Sequence, residues 1–123
     1  MEQTKKTILC VDDNKDNCEL LTFVFEQQGF DVVACESIEE CSIEIRKRKF
    51  SAVILDNHFG DKTSIAVCKE IRDFDAAIPI IFYSGETRPV EIEKALQAGG
   101  DAYLAKPTDF GKLTVTVNNL IKG

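Results

Sequence analysis

Five short runs of apolar residues recur along the chain, and each is separated from the next by a segment with helical spacing. Three of the runs, the first, third and fourth, are nearly continuous and rich in β-branched residues, which is typical of strands buried on both faces of a parallel sheet. The other two are shorter or more mixed, as edge strands tend to be. The predicted strands are residues 7–11, 30–34, 52–55, 78–83 and 102–104.

The segments between these runs carry the signals of helix starts, apolar faces and helix ends. The first helix is predicted to end at Gly29, and the second begins at a capping box formed by Ser37 and Glu40. Pro89 lies near the start of the fourth helix, which ends at Gly99-Gly100. The apolar stripes comprise Leu20, Leu21, Val24 and Phe25; Ile38, Cys41 and Ile45; Ile65, Cys68 and Ile71; Ile92, Ala95 and Leu96; and Leu113, Val117, Leu120 and Ile121.

A strand followed by a helix, five times over, predicts a single α/β domain that spans residues 1–123. This alternation implies parallel strands with right-handed crossovers and helices on both faces of the sheet. No linker or repeat interrupts the pattern, and we expect no DNA-binding or enzymatic domain within these residues. Ligands of such open sheets bind at the carboxyl ends of the strands. The residues that follow each strand are therefore the candidates for function.

The chain is acidic, with 21 acidic and 15 basic residues among 123 and a formal net charge of −6. This balance argues against a protein that binds nucleic acid or an anionic membrane through bulk charge. No apolar run approaches the about 20 residues of a membrane helix, and the N-terminus lacks the apolar segment of a signal peptide. We therefore expect a cytoplasmic protein that binds neither nucleic acid nor a membrane.

The five cysteines are odd in number and show no C-x-x-C spacing. This pattern favours neither a disulfide framework nor a metal site. Four of them lie within or beside apolar patterns, so we expect reduced side chains that serve as small core residues. The five are Cys10, Cys18, Cys35, Cys41 and Cys68.

Polar and charged residues follow four of the five predicted strands at the point where each strand ends. They are Asp12 and Asp13 after the first strand, Asp56 after the third, Ser84 after the fourth, and Lys106-Pro107 after the fifth. If the strands are parallel, all of these residues converge on one edge of the sheet. Three carboxylates in one small pocket repel one another and require a positive charge.

Lys106 can supply one positive charge, and a divalent cation is the natural second. Oxygen ligands of this kind favour Mg²⁺. A simple phosphate-cradling site would place Gly, Ser or Thr after the first strand, where this chain has two aspartates. The chemistry that fits is phosphoryl transfer to a carboxylate with Mg²⁺ bridging the groups.

Four short motifs together resemble the receiver domain of bacterial response regulators, over essentially the whole chain. They are Val11-Asp12-Asp13-Asn14, Leu55-Asp56, Tyr83-Ser84-Gly85 and Ala102-Tyr103-Leu104-Ala105-Lys106-Pro107. The resemblance, which extends to single-domain chemotaxis regulators, implies a flavodoxin-like three-layer sandwich with a parallel sheet of order 2-1-3-4-5. It also implies a phosphorylation-dependent signalling switch of a two-component phosphorelay rather than a turnover enzyme.

The resemblance assigns the metal and acceptor roles. Asp56 would accept a phosphoryl group from a histidine kinase or a histidine phosphotransfer protein. Asp12 and Asp13 would hold Mg²⁺, with Asp13 as the direct ligand and Asp12 acting more through water. Asp56 and the backbone carbonyl of His58 would complete the protein ligands.

The resemblance also assigns the residues that respond to the phosphoryl group. The Ser84 hydroxyl and the Lys106 ammonium would bind phosphoryl oxygens, with a cis peptide bond before Pro107. Tyr103 would be the switch aromatic, whose ring turns inward when the hydroxyl moves. The downstream target, whose identity the sequence leaves open, would bind a surface formed by the fourth helix, fifth strand and fifth helix.

Several of these residues also have ordinary structural interpretations. Asp12 and Asp13 alone could cap a helix, Ser84 could begin a loop, and Tyr103 could pack in the core or at an edge. The His58 imidazole could act as a general base on the attacking water, or it could be a solvated loop side chain.

The segment after the acceptor departs from the family pattern. Many receivers have Met-Pro three and four residues after the acceptor, whereas this chain has Phe59-Gly60 and then residues 61–64. Without proline one backbone angle is no longer fixed, which changes the expected loop conformation but removes no catalytic group.

Two other functions compete with an active receiver. A Mg²⁺-dependent phosphatase of the haloacid-dehalogenase type, acting through an aspartyl phosphate, requires Asp-x-Asp, and His58 occupies the second acidic position here. A degenerate receiver that acts only as a binding module should have lost the acidic pair or Lys106, and this chain retains them.

Overall fold

The computed structural model describes residues 6–59 and 62–122, apart from the side chains of Phe59, Lys62 and Thr63. Its main sheet has five parallel strands in the order β2-β1-β3-β4-β5, as predicted. The strands are β1 (Thr7–Val11), β2 (Asp31–Cys35), β3 (Ala52–Leu55), β4 (Ile80–Ser84) and β5 (Ala102–Ala105). The helices are α1 (Lys15–Gln27), α2 (Ile38–Lys47), α3 (Ile65–Phe74), α4 (Pro89–Gln97) and α5 (Phe110–Lys122).

Two apolar clusters cover the two faces of this sheet. Because side chains alternate along a strand, Val53 and Leu55 of β3 enter one cluster while Ala52 and Ile54 enter the other. The first cluster contains buried residues of α2, α3 and α4, and the second contains those of α1 and α5. The three-layer arrangement predicted from the alternation of elements is thus confirmed.

Two strands begin later than the sequence predicted. Residues 78–83 were expected to form the fourth strand, but β4 begins at Ile80 because Pro79 has no N–H to donate to a ladder. The Pro79 carbonyl still accepts a hydrogen bond from Val53 N at 2.9 Å. Phe30 precedes β2, and its N–H donates to the Phe25 carbonyl at 3.1 Å, which closes the end of α1.

The predictions of where helices begin and end agree with the structure more closely than the predictions of which helical residues are buried. Gly29 and Gly99 have φ angles of +91° and +126°, so both follow helices in the left-handed region. The Ser37 hydroxyl accepts from Glu40 N at 3.1 Å, as the capping box requires. Leu20 and Leu96 were placed on apolar faces but are 48% and 42% exposed, so the stripes of α1 and α4 are narrower than predicted.

The five cysteines are buried free thiols, which confirms their prediction as core residues. Burial raises the pKa of Cys18 and Cys68 to about 11 and that of Cys35 and Cys41 to about 12, and it raises the pKa of Cys10 further.

Within the described residues, every helix is too short or too polar to cross a lipid bilayer.

Candidate functional site

The register of the sheet brings the ends of its central strands to one edge. Val11 pairs with Leu55, Leu55 pairs with Phe82, and Ser84 pairs with Ala105. Backbone hydrogen bonds extend the ladders one residue further, from Asp56 N to the Val11 carbonyl and from Lys106 N to the Ser84 carbonyl, both at 2.9 Å. The chain therefore leaves every central strand at the same edge, where the predicted residues meet.

Three carboxylates form a cluster at this edge. Asp12, Asp13 and Asp56 each offer an oxygen, and these oxygens all lie within 4.8 Å of one another. Asp12 is buried, Asp13 is exposed, and the Asp56 side chain is 12% exposed. A set of carboxylate oxygens that is open to solvent on one side fits the oxygen coordination of Mg²⁺.

Lys106 bridges two of these carboxylates. Its Nζ lies 2.5 Å from Asp12 Oδ2 and 3.2 Å from Asp56 Oδ2, and 5.7 Å from the centre of the Tyr83 ring. Burial alone would lower the pKa of Lys106, but the hydrogen bond to Asp12 and the charge of Asp56 outweigh it, so the pKa is raised. The lysine therefore stays protonated and offsets part of the negative charge.

The acidic pair is not the cap of α1. Asn14 is the N-cap residue, and its side chain accepts from Asn17 N at 3.1 Å. Asp12 is hydrogen-bonded from Asn14 N at 2.9 Å and from Asn17 Nδ2 at 3.3 Å, and these bonds fix its carboxylate toward the cluster. Asn14, the residue after Asp13, therefore caps α1, and the interpretation of Asp12 and Asp13 as a helix cap is wrong.

The segment between β3 and α3, here called the acceptor loop (residues 56–64) after the role expected of Asp56, contains a short hairpin that sequence reasoning missed. His58–Phe59 pairs antiparallel with Lys62–Thr63. The Gly-Asp dipeptide between these pairs is a recognised hairpin signal, although Gly60 and Asp61 lie outside the described residues. Phe59, where the sequence departs from the family pattern, is therefore paired with Lys62 in a short ladder.

Ser64, the last residue of the acceptor loop, is hydrogen-bonded to the first two residues of that loop. Its hydroxyl donates to the Asp56 carbonyl, and its N–H donates to the Asn57 carbonyl at 3.0 Å. Both Ser64 and Asn57 are completely buried, which is unusual for polar residues without a role. Neither was singled out from the sequence, because only the fold shows that they are enclosed.

His58 contacts the cluster through its backbone and a neighbouring loop through its side chain. Its N–H donates to Asp56 Oδ1 at 3.4 Å. Its Nε2 atom is buried and lies 3.3 Å from Glu86 Oε1, at ion-pair distance but without hydrogen-bond geometry. The imidazole, expected either as a solvated side chain or as a base, thus faces the segment between β4 and α4.

Ser84 and Tyr103 both contact Glu86. The buried Ser84 hydroxyl accepts from Glu86 N at 3.1 Å. The Tyr103 ring stacks on Phe82, with centroids 5.7 Å apart and planes at 10°, and its hydroxyl donates to the Glu86 carbonyl at 2.6 Å. Burial raises the pKa of Tyr103. The Tyr103 ring is therefore held inward against the core in this structure. The peptide bond between Lys106 and Pro107 is cis, as predicted.

Comparison with known proteins agrees with this geometry. The family model for the response regulator receiver domain matches residues 8–118. The transcriptional regulatory protein ZraR of Salmonella typhimurium is 31% identical over 121 residues, which is 98% of this chain and 27% of ZraR, so the chain spans about a quarter of that relative.

Solved structures show the same likeness. A two-component response regulator from Clostridium difficile superposes with a TM-score of 0.90 at 29% identity, covering 96% of this chain and 97% of that one. The chemotaxis protein CheY4 of Vibrio cholerae shares the fold, with a TM-score of 0.87 at 21% identity, covering 95% of this chain and 99% of that one.

Proposed function

Because this chain belongs to the response regulator receiver domain family, whose members are signalling switches of two-component systems, we propose that it is an active phosphorylation-dependent switch. The observation that carries the proposal is the cluster of Asp12, Asp13 and Asp56 with the Lys106 ammonium between two of the carboxylates. A receiver used only as a static scaffold has no reason to keep buried charges that must be compensated.

Asp56 is proposed as the phosphoryl acceptor. An oxygen of its carboxylate attacks the phosphorus of a phosphohistidine on a histidine kinase or phosphotransfer protein, and the bond from phosphorus to the histidine nitrogen breaks. Asp12, Asp13, Asp56 and the His58 backbone carbonyl would hold Mg²⁺, which offsets negative charge on the donor and acceptor oxygens when bound. The Lys106 ammonium would bind a phosphoryl oxygen, since it already contacts the acceptor.

The response to phosphorylation is proposed to run through Ser84 and Tyr103. The Ser84 hydroxyl would leave Glu86 N and turn to the new phosphoryl group, because a transferred phosphate needs hydrogen-bond donors. Since Glu86 also accepts from Tyr103, this movement alters the support of the switch aromatic. A two-state surface of α4, β5 and α5 would then bind the downstream protein. Two apolar residues of α4, Val90 and Leu96, are exposed, which supports a docking role for that helix.

The receiver domain is proposed to span residues 1–123 as one unit and to signal through partners rather than through turnover of a substrate. The five repeated units and the family match to residues 8–118 support this extent. Transcriptional regulation, which the name of ZraR assigns to that protein as a whole, is not proposed for these residues.

Mass spectrometry of the intact protein tests the proposal. Incubation with Mg²⁺ and acetyl phosphate should add the mass of one phosphoryl group to the wild type and none to Asp56→Asn. Asp73→Asn, at an exposed aspartate on α3, is the matched control and should still be modified. An unmodified wild type, or an adduct that persists in Asp56→Asn, would show that the assignment is wrong.

A further inference from the structure

We propose that Asn57 is a positioning residue that holds the Tyr103 ring inward before any phosphoryl group is transferred. The residue directly after the acceptor would then couple the acceptor loop to Tyr103 through a direct hydrogen bond of its own. The inference rests on the proposed function only in treating Tyr103 as the switch aromatic, because the contact itself belongs to the unmodified protein.

Asn57 has the properties of a residue kept for one specific hydrogen bond. It is completely buried, and its Nδ2 donates to the Tyr103 hydroxyl at 3.3 Å. Its Oδ1 is also buried and has no hydrogen-bond partner among the described residues. A half-satisfied amide is a poor choice for filling a core, since an apolar side chain of the same size would leave no polar atom unpaired.

The Tyr103 hydroxyl uses both of its hydrogen-bonding capacities in the inward position. It donates its proton to the Glu86 carbonyl and accepts from Asn57. Stacking against Phe82 fixes the plane of the ring. An outward ring would lose all three interactions and leave the Asn57 amide without this partner in the protein interior, so the inward orientation is favoured without phosphorylation.

The carbonyl that accepts from Tyr103 is itself held in place. The Glu86 side chain is clamped by Arg88, whose Nη2 lies 2.6 Å from Glu86 Oε1, and the Glu86 N–H donates to the Ser84 hydroxyl. His58 approaches Glu86 from the acceptor loop at 3.3 Å. Two consecutive residues after the acceptor therefore contact this part of the structure. Asn57 contacts the Tyr103 hydroxyl, and His58 contacts Glu86, whose carbonyl accepts from that hydroxyl.

The orientation of the Tyr103 ring in the unphosphorylated protein tests this inference. The chain has two tyrosines, so ring-labelled tyrosine gives two sets of NMR signals, and Tyr83→Phe assigns them. In the wild type we expect Tyr103 ring protons to show contacts with Phe82. In Asn57→Leu, which keeps the size and removes the donor, the ratio of inward to outward rings should fall about fivefold, as expected for one neutral hydrogen bond.

A second variant keeps the test independent of how Asn57→Leu folds. Tyr103→Phe, with a labelled phenylalanine at this position, removes both hydroxyl bonds while keeping the ring, and its contacts with Phe82 should weaken as well. A wild-type ring that lies outward, or an inward population unchanged in a folded Asn57→Leu, overturns the inference. If Asn57→Leu does not fold, an inward population unchanged in Tyr103→Phe overturns it. All readings are taken without phosphorylation and are repeated in Asp56→Asn, so failure of phosphoryl transfer and failure of this inference are separate results.

Discussion

The Lys106 ammonium lies 2.5 Å from an oxygen of Asp12 and so contacts the carboxylate cluster in the unmodified protein. Both side chains are largely shielded from solvent, with exposures of 17% and 4%. An ion pair in such surroundings is stronger than one at the surface, because water screens it less. A cation bound by the cluster therefore experiences repulsion from Lys106 as well as attraction from the three carboxylates.

We predict that Lys106→Ala binds Mg²⁺ more tightly than the wild type. Removing one positive charge a few ångströms from the cluster should favour the bound cation by about 1 to 2 kcal/mol, or roughly tenfold in affinity. Isothermal titration calorimetry of the unphosphorylated proteins measures this directly. Lys94→Ala changes the net charge equally at an exposed position on α4 and should leave the affinity close to that of the wild type. Equal or weaker binding by Lys106→Ala would contradict the electrostatic argument.

The second prediction concerns the titration of Glu86. Hydrogen bonds from the Arg88 side chain and backbone, more than any other contact, lower the pKa of Glu86 to about 2 from its ordinary value of 4.5. Since the folded-state pKa is the lower one, the stabilisation from this carboxylate is present above about pH 4.5 and is lost as the pH falls toward about 2. Arg88→Ala removes the side-chain bonds and keeps the backbone one, so it should raise the pKa of Glu86 part of the way toward 4.5.

NMR titration of the Glu86 carboxyl carbon measures that change. Arg46→Ala removes a comparable exposed arginine, one that pairs with Glu70, and should leave the Glu86 midpoint where it is. A midpoint that stays near 2 in Arg88→Ala would mean that other contacts, such as the one with His58, determine the pKa of Glu86.

The convergence of the candidate site residues on one edge could be predicted from sequence because they follow buried strands. A run such as Ala52–Leu55 is specified by hydrophobicity alone, and the parallel arrangement then places the next residue, Asp56, at the same edge as Asp12 and Lys106. The end of a strand can be recognised from the residues around it. Because the strands are parallel, the residues that follow them then meet at one edge of the sheet.

The contacts around the site could not be predicted in the same way. Asn57 and Ser64 are polar residues in a loop, and only the enclosing fold makes them buried. The fold also gives Asn57 a partner from a distant strand, the Tyr103 hydroxyl, while Ser64 bonds to Asp56 within the loop. The orientation of Tyr103 depends on a carbonyl of Glu86, which has no sequence signal of its own. Exposure of Leu20 was mispredicted because helical spacing defines a face but not how much of it a neighbour covers.

The third prediction concerns Arg72, which joins three segments on the side of the sheet away from α1 and α5. Its guanidinium donates to the carbonyls of Gly99 and Ile78, at 2.8 and 2.6 Å in the shortest contacts, and to the Asp101 carboxylate at 2.8 Å. Arg72→Met keeps much of the apolar stem but leaves these acceptors without their charged donor. We expect it to destabilise the protein by about 2 to 4 kcal/mol in urea unfolding.

Arg46→Ala is the matched control for that measurement. Arg46 also pairs with a carboxylate, Glu70, at 2.6 Å, but its side chain is 53% exposed. An exposed pair contributes only about 0 to 1 kcal/mol, so the two arginines should differ clearly. Equal losses would show that the network around Arg72 adds nothing beyond an ordinary surface ion pair.

The last prediction separates two glycines that look alike in the sequence, Gly99 and Gly100. Only Gly99 has a positive φ angle, whereas Gly100 is needed for space. A Cβ at Gly100 would lie 2.8 Å from two ring carbons of Phe82, a fully buried side chain that stacks on Tyr103 and has little room to move. Gly100→Ala should therefore destabilise the protein by about 1 to 3 kcal/mol.

Gly111→Ala provides the control, because a Cβ at Gly111 in α5 meets nothing within 4 Å. Alanine has the higher helix propensity, so this variant should be slightly more stable than the wild type, by about 0.5 kcal/mol. Urea unfolding of both variants measures their free energies of unfolding. A Gly100→Ala protein as stable as the wild type would show that the Phe82 ring can move to make room for the added Cβ. In that case the stacked ring of Tyr103 should shift with it, which the same tyrosine NMR signals would report.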